Sequence, residues 1–215
     1  MFLPSDHEPM TRANFFNFCG FCDIINFEQR KETLMKRAIK FKLKNGKVVT
    51  IRPLRADDYD AVMRYMKEFR KGPSAKWTWQ YPERPLPPKE RAVKDWTNEN
   101  GLFVGAFDGG RVIGTANIAK KMPDHPWSGR VAVTGTTILE KYTSMGLGTK
   151  FKQIVGKWAI EHNVHKLQTE VRHKNTRSLG NLLKQGYEIV GILHDTAFID
   201  GEWHHEYILE KILEK

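Results

Sequence analysis

The chain has 215 residues, of which 40% are hydrophobic and 28% charged, a balance that excludes a disordered, collagenous or coiled-coil protein. No apolar run approaches the roughly 18 residues of a membrane span, and MFLPSDHEPMTRANFF lacks the basic-then-apolar order of a secretory leader, so a cytoplasmic protein without membrane contact is expected. Lys and Arg number 35 against 25 Asp and Glu, a formal charge of +10 that suits nucleic acid or a polyanionic small ligand without choosing between them.

Residues 1–38 read as an appendage of unknown role and 39–215 as the main domain. The appendage holds the only two cysteines, Cys19 and Cys22, in an aromatic stretch with no strand–helix context for redox chemistry. No second pair of ligands completes a zinc site, so an incidental pair and no metal are expected. FEQRKETLMKRAIK could form a short helix. IKFKLKNGKVVTIRPL alternates about Asn45-Gly46 and predicts a hairpin. ADDYDAVMRYMKEFRK predicts a helix capped by Asp57 or Asp58, with Ala61, Val62, Tyr65 and Met66 on its apolar face.

Residues 71–90 contain five of the ten prolines and predict a loop. Its Trp77, Trp79 and Tyr81 either cover the core or line a pocket. A short helix in KERAVKDWTNEN and a hairpin about Asp108-Gly109-Gly110 follow. VAVTGTTIL is β-branched enough for a buried strand, and GLGTKFKQIVGKWAIEHN has helical spacing of Phe151, Ile154, Val155 and Trp158. The strand HKLQTEV, a helix NTRSLGNLLKQG stopped by Gly186, and a hairpin about Asp200-Gly201 complete the chain. Strands mixed with helices, with hairpins early and late, predict an α/β or α+β fold on a sheet of mixed direction.

The stretch VAVTGTTILEKYTSMGLGTK carries the chemistry. A strand runs into Gly146-Leu147-Gly148 and a helix begins at once. Unpaired amides at a helix start suit an anion, and glycines let a phosphate approach the backbone. Neither a Walker loop nor a dinucleotide fingerprint is present. This stretch resembles the GNAT superfamily of acyl-CoA-dependent N-acyltransferases, whose signature is a strand, then Arg/Gln-x-x-Gly-x-Gly/Ala, then a helix. Thr143 departs from the usual Arg or Gln, while both glycines match. Asn175, the short helix through Leu182 to Gly186-Tyr187, the closing hairpin and IRPLRADDYDAV resemble the family in order and spacing over about residues 40–213.

The resemblance implies a central, mixed, mostly antiparallel sheet flanked by helices. It implies acetyl transfer from acetyl-CoA to a primary amine of a small molecule or peptide, by direct attack on the thioester. It places the pantetheine against the backbone of Ile138 and Leu139, and the pyrophosphate at Thr143, Ser144, Met145, Gly146, Leu147, Gly148 and Thr149. Asn175 would bond the cofactor arm, and Lys141, Lys150, Lys152, Lys174 and Arg177 could meet phosphates. A Tyr often serves as general acid at the position of Leu182, where no hydroxyl stands. Glu170 is the carboxylate candidate for general base, and Trp77, Trp79 and Tyr81 the candidate acceptor wall. Members are commonly dimers, which implies a homodimer. The competing reading is a non-catalytic acyl-CoA-binding or nucleic-acid-associated module on the same fold, with the Lys36–Lys47 tract as its phosphate contact, although its cations alternate with apolar residues as on any half-buried strand.

Overall fold

The computed structural model describes residues 38–213. The expected appendage, its short helix and the Cys19/Cys22 pair lie outside the described residues, apart from Ala38. The architecture is an eight-stranded sheet in the order β1-β2-β3-β4-β5-β6-β8-β7. The strands are β1 (Ile39–Lys42), β2 (Val48–Pro53), β3 (Gly101–Asp108), β4 (Arg111–Lys120), β5 (Val131–Ile138), β6 (Lys166–Arg172), β7 (Glu188–Ile199) and β8 (Glu202–Ile212). Four α-helices flank it: α1 (Tyr59–Arg70), α2 (Lys89–Trp96), α3 (Leu147–Glu161) and α4 (Thr176–Lys184). Every strand pair is antiparallel except β5 with β6, which the α3 crossover joins in parallel.

The turns follow from local chemistry. Gly46, Gly109 and Gly201 take φ of +87°, +60° and +83°, and Asp200 joins Gly201 in the left-handed region at +54°, which the tight hairpins require. Asp58 behaves otherwise than expected. A 3₁₀ turn at Ala56–Asp58 precedes α1, and Asp58 makes no capping bond to the helix that follows. Its carboxylate instead accepts from both terminal nitrogens of Arg52, at 2.6 and 2.7 Å, and from the Arg55 amide at 2.8 Å. A guanidinium in β2 outcompetes a helix amide because its hydrogen bonds are charge-assisted and bidentate.

The two faces of the sheet are told apart by neighbouring pairs. Thr115 pairs with Thr137, and the Thr137 hydroxyl accepts from Tyr65 of α1 at 2.8 Å. The next pair is Gly114 with Ile138, and a Cβ on Gly114 would meet Phe151 of α3 at 3.2 Å. Side chains alternate across a strand, so α1 and α3 cover opposite faces. Phe151, Trp158, Ile118 and Leu209 are among the fully buried side chains between these layers.

Candidate active site

The sheet opens between β5 and β6. Their register is confined to Val131–Val133 against Lys166–Gln168, after which β6 continues with β8 and β5 continues with β4. The Leu139 amide donates across to the Ile113 carbonyl of β4 at 3.0 Å. By alternation the backbone groups of Ile138, Thr136 and Thr134 point the other way, into the gap. There the Thr134 carbonyl accepts from the Thr169 hydroxyl at 3.1 Å. Of the two residues expected to face a pantetheine, Ile138 therefore offers a free strand edge, while the Leu139 amide is committed to β4.

Past β5 the chain makes a 3₁₀ turn at Glu140–Tyr142, and Thr143 donates both its amide and its hydroxyl to the Glu140 carbonyl, at 3.1 and 2.7 Å. Thr143 thus braces the turn from within. Ser144 and Gly146 take φ of +60° and +88°, and the helix begins with Lys150 donating to the Gly146 carbonyl at 3.0 Å. The amides of Leu147, Gly148 and Thr149 have no acceptor among the described residues, and they converge at the positive end of a 15-residue helix. The turn is held from outside by β1: the Lys44 amide donates to the Met145 carbonyl at 3.2 Å, and Phe41 approaches Gly146. A Cβ on Gly148 would stand 3.1 Å from Asn181 of α4 and 3.6 Å from Ile138, so glycine there lets α3 close against both.

Asn175 caps α4, accepting from the Ser178 amide at 3.3 Å, and its Nδ2 donates to the Trp77 carbonyl at 3.3 Å. Arg172 at the end of β6 donates to the carbonyls of Lys76 and Thr78, both at 2.8 Å, and faces Glu206 of β8 with its Nε 3.3 Å from the carboxylate. These contacts pin the 3₁₀ turn Ala75–Trp77 to the sheet. Trp77, Trp79 and Tyr81 all line a cavity of about 960 Å³, together with Asn175, Glu170, Arg172 and Glu206. The same cavity reaches Met63 and Arg70 of α1 on one face and Lys152, Ser178 and Leu182 of α3 and α4 on the other, so it runs through the sheet by way of the β5–β6 gap. The glycine turn is not part of its lining; Gly148, at the start of α3, approaches Ile138 of β5, and α3 reaches the cavity one turn further on with Lys152.

Glu206, missed in the sequence, is 3% exposed. Burial pushes its carboxyl up, and the charge of Glu170 adds to that, against the lowering pull of Arg172. Its role shows only in the β6–β8 register, which sets Arg172 opposite Glu206. Lys152, a candidate phosphate contact by resemblance, is the one ionisable side chain that α3 and α4 contribute to the cavity lining among the described residues. Its enclosure pushes it down to about 8. Lys174 and Arg177 are engaged with Glu202 and Glu140, each at 2.9 Å. Leu182 is 1% exposed and lines the cavity, where it presents no hydroxyl. Tyr142 donates to Asp108 at 2.7 Å, away from the cavity.

A parallel strand pair that parts over a helix start with free amides matches the resemblance noted in the sequence, and comparison with known families decides it. The profile of the Acetyltransferase (GNAT) family matches residues 66–187, more than half of the chain. The chain belongs to the GNAT acetyltransferase family. The expected mixed, mostly antiparallel sheet with flanking helices is that family's fold. A GNAT-family acetyltransferase of Streptococcus pneumoniae superposes with a TM-score of 0.69 at 20% identity, covering 77% of this chain and 99% of that one. A ribosomal-protein-alanine N-acetyltransferase of Brucella melitensis gives 0.64 at 20%, covering 76% and 99%. A Salmonella typhimurium protein solved with its cofactor acetyl-CoA gives 0.65 at 14%, covering 78% and 95%. No curated protein sequence is similar enough to match. Among the described residues no helix is long and apolar enough to cross a membrane, and no group of three His, Cys, Asp or Glu is placed to hold a metal ion.

Proposed function

We propose that this GNAT protein transfers an acetyl group from acetyl-CoA to a primary amine of a small molecule or peptide by direct attack on the thioester. The observation that carries the reading is the β5–β6 gap, which sets a free strand edge beside the amides of Leu147, Gly148 and Thr149 and opens into a cavity that runs through the sheet. The three amides and the helix dipole suit a pyrophosphate, with Met145, Gly146, Ser144 and Thr143 shaping the turn around it. The edge at Thr136 and Ile138 suits the amides of a pantetheine, and an N–H there polarises the thioester carbonyl. Asn175 stands where the arm would pass.

The acceptor reaches the gap from the side of Trp77, Trp79 and Tyr81. Glu170 is open to the cavity and takes the amine proton, so that the amine attacks uncharged. Glu206 holds Arg172, and through it the tryptophan loop. With leucine at position 182, Lys152 supplies the proton to the departing sulfur. A desolvated ammonium gives up its proton more readily than a surface lysine does. Positioning two reactants across the gap supplies much of the rate, on the order of 7–11 kcal/mol in well-oriented systems.

Leu182 favours a second reading, a non-catalytic acyl-CoA-binding module. Calorimetric titration with acetyl-CoA, with Gly146→Asp as control, tests cofactor binding, and turnover with an amine panel separates the two readings. Micromolar binding abolished in a folded Gly146→Asp variant is expected. Absence of wild-type binding would make the glycine turn purely structural.

A further inference from the structure

Arg70 closes the last turn of α1 and is 8% exposed, although a guanidinium is among the least tolerable groups to bury alone. Its Nη1 donates to the Arg84 carbonyl and its Nη2 to the Gln80 side chain at 3.2 Å, both neutral acceptors. Its Nε is buried and has no partner among the described residues. No carboxylate comes within ion-pair distance of it there, and the charges acting on it are those of Arg84, which repels it, and Tyr81. Burial and Arg84 together push its pKa down, the sign of a cation without a counter-ion.

The other buried arginine of the cavity shows the contrast. Arg172 faces Glu206 and gives two bonds to loop carbonyls. Arg70 lines the same cavity, and that lining carries six basic side chains against three acidic ones, Asp95, Glu170 and Glu206. Glu170 and Glu206 sit on the sheet floor, and neither acts on Arg70. The cavity is thus electrically divided, with an acidic floor beside the gap and an uncompensated cation on α1.

We propose that Arg70 is an anion subsite of the acceptor cavity, so that the acceptor is an amine whose own molecule carries a carboxylate, of the amino-acid type. The amine end faces Glu170 at the gap and the carboxylate supplies the counter-ion that Arg70 lacks, accepting from the N–H groups of Nη1 and Nη2 that the loop leaves unused. Recognition of this kind disfavours bare amines, because they leave the buried guanidinium unpaired. The inference rests on the acetyltransferase reading for the amine end alone; the anion subsite stands on Arg70 and its surroundings.

The test uses the full chain and two matched acceptor pairs, L-phenylalanine with 2-phenylethylamine and L-leucine with 3-methylbutylamine. Each amino acid is expected to exceed its decarboxylated partner in kcat/KM by tenfold or more. Arg70→Met should raise KM for the amino acids about a hundredfold, at least tenfold more than any loss it causes for the bare amines, and leave the KM for acetyl-CoA unchanged. Arg70→Lys should recover part of the loss. In the wild type, 3-phenylpropanoate, which has the carboxylate and no amine, should compete with L-phenylalanine, an arm that needs no variant to fold. Preference for the bare amines, equal loss for both members of a pair, or no competition by 3-phenylpropanoate overturns the proposal and leaves Arg70 a clamp on the 80–84 loop. If no acceptor turns over, direct titration of 3-phenylpropanoate against wild type and Arg70→Lys decides the subsite, and a carboxylate that fails to bind overturns it. Loss of acetyl-CoA binding itself strikes the transferase reading and leaves that titration interpretable.

Discussion

Gly146 stands where the turn before α3 asks for glycine by its backbone rather than by lack of space. Its φ of +88° is open to glycine and strained for any L side chain. Gly146→Ala should therefore cost about 1–2 kcal/mol in chemical denaturation, while Phe41, 3.6 Å from the added methyl, leaves room for it. Gly146→Asp adds a negative charge at the helix start and should abolish acetyl-CoA binding while the protein still folds. Lys152 makes a prediction of a different kind. Its folded value of about 8 lies below the ordinary 10.5, so between these pH values the unfolded chain holds a proton that the folded chain has released. Its stabilising contribution is present above 10.5 and is lost as pH falls through about 8. Lys152→Met should accordingly be more stable than wild type at pH 7, by about 1–2 kcal/mol once residual solvation is allowed for, and the two should converge above pH 10.5. If Lys152 protonates the leaving sulfur, the same variant loses the alkaline fall of kcat.

Among the elements, α4 and the tryptophan loop are tied by a single side chain. Asn175→Ala removes both the cap of α4 and the bond to the Trp77 carbonyl. A loss of about 1–2 kcal/mol in stability is expected from the cap, with a higher KM for the acceptor, and steady-state kinetics beside a melting curve check it. This element also marks how far the sequence could be read. The hairpins at Asn45-Gly46, Asp108-Gly109-Gly110 and Asp200-Gly201 were legible because turn chemistry is local. So was α3, whose apolar positions recur at helical spacing. Asp58 stands at the N-cap position of α1, as its sequence context suggests, but the capping bond is absent because its carboxylate is taken by Arg52, a partner supplied by the strand that precedes the helix. Glu206 and Arg70 were illegible for a stronger reason: burial and the presence or absence of a counter-ion are decided by strands and loops far apart in sequence. The β5–β6 gap is a property of register, and composition carries no trace of where a register ends.

At the scale of the whole molecule, β7 is an outer strand of 12 residues, and Ile189, Val190, Ile192, Leu193 and Phe198 along it are exposed. An open edge with that much apolar surface is a liability for an isolated chain. It supports the homodimer that the family resemblance implies, with a second copy covering this strand. Sedimentation should give a dimer for the wild type, and Val190→Glu with Ile192→Glu should give a monomer; a wild-type monomer would remove the reading. The parallel seam of the sheet has a mechanical consequence as well. Strands β1–β5 form one continuous antiparallel meander, and β6, β8 and β7 form a second antiparallel unit, joined to the first by three register pairs. Two units held by so short a seam can part without either dissolving, as partially independent opening units do. A ligand lodged in the gap bridges them like a rivet, adding about 2.7 kcal/mol at a hundred times its dissociation constant. Amide exchange should then slow most in β6 and in the Thr134–Ile138 segment of β5, so that the acyl donor is, before any chemistry, the piece that makes the two half-sheets one.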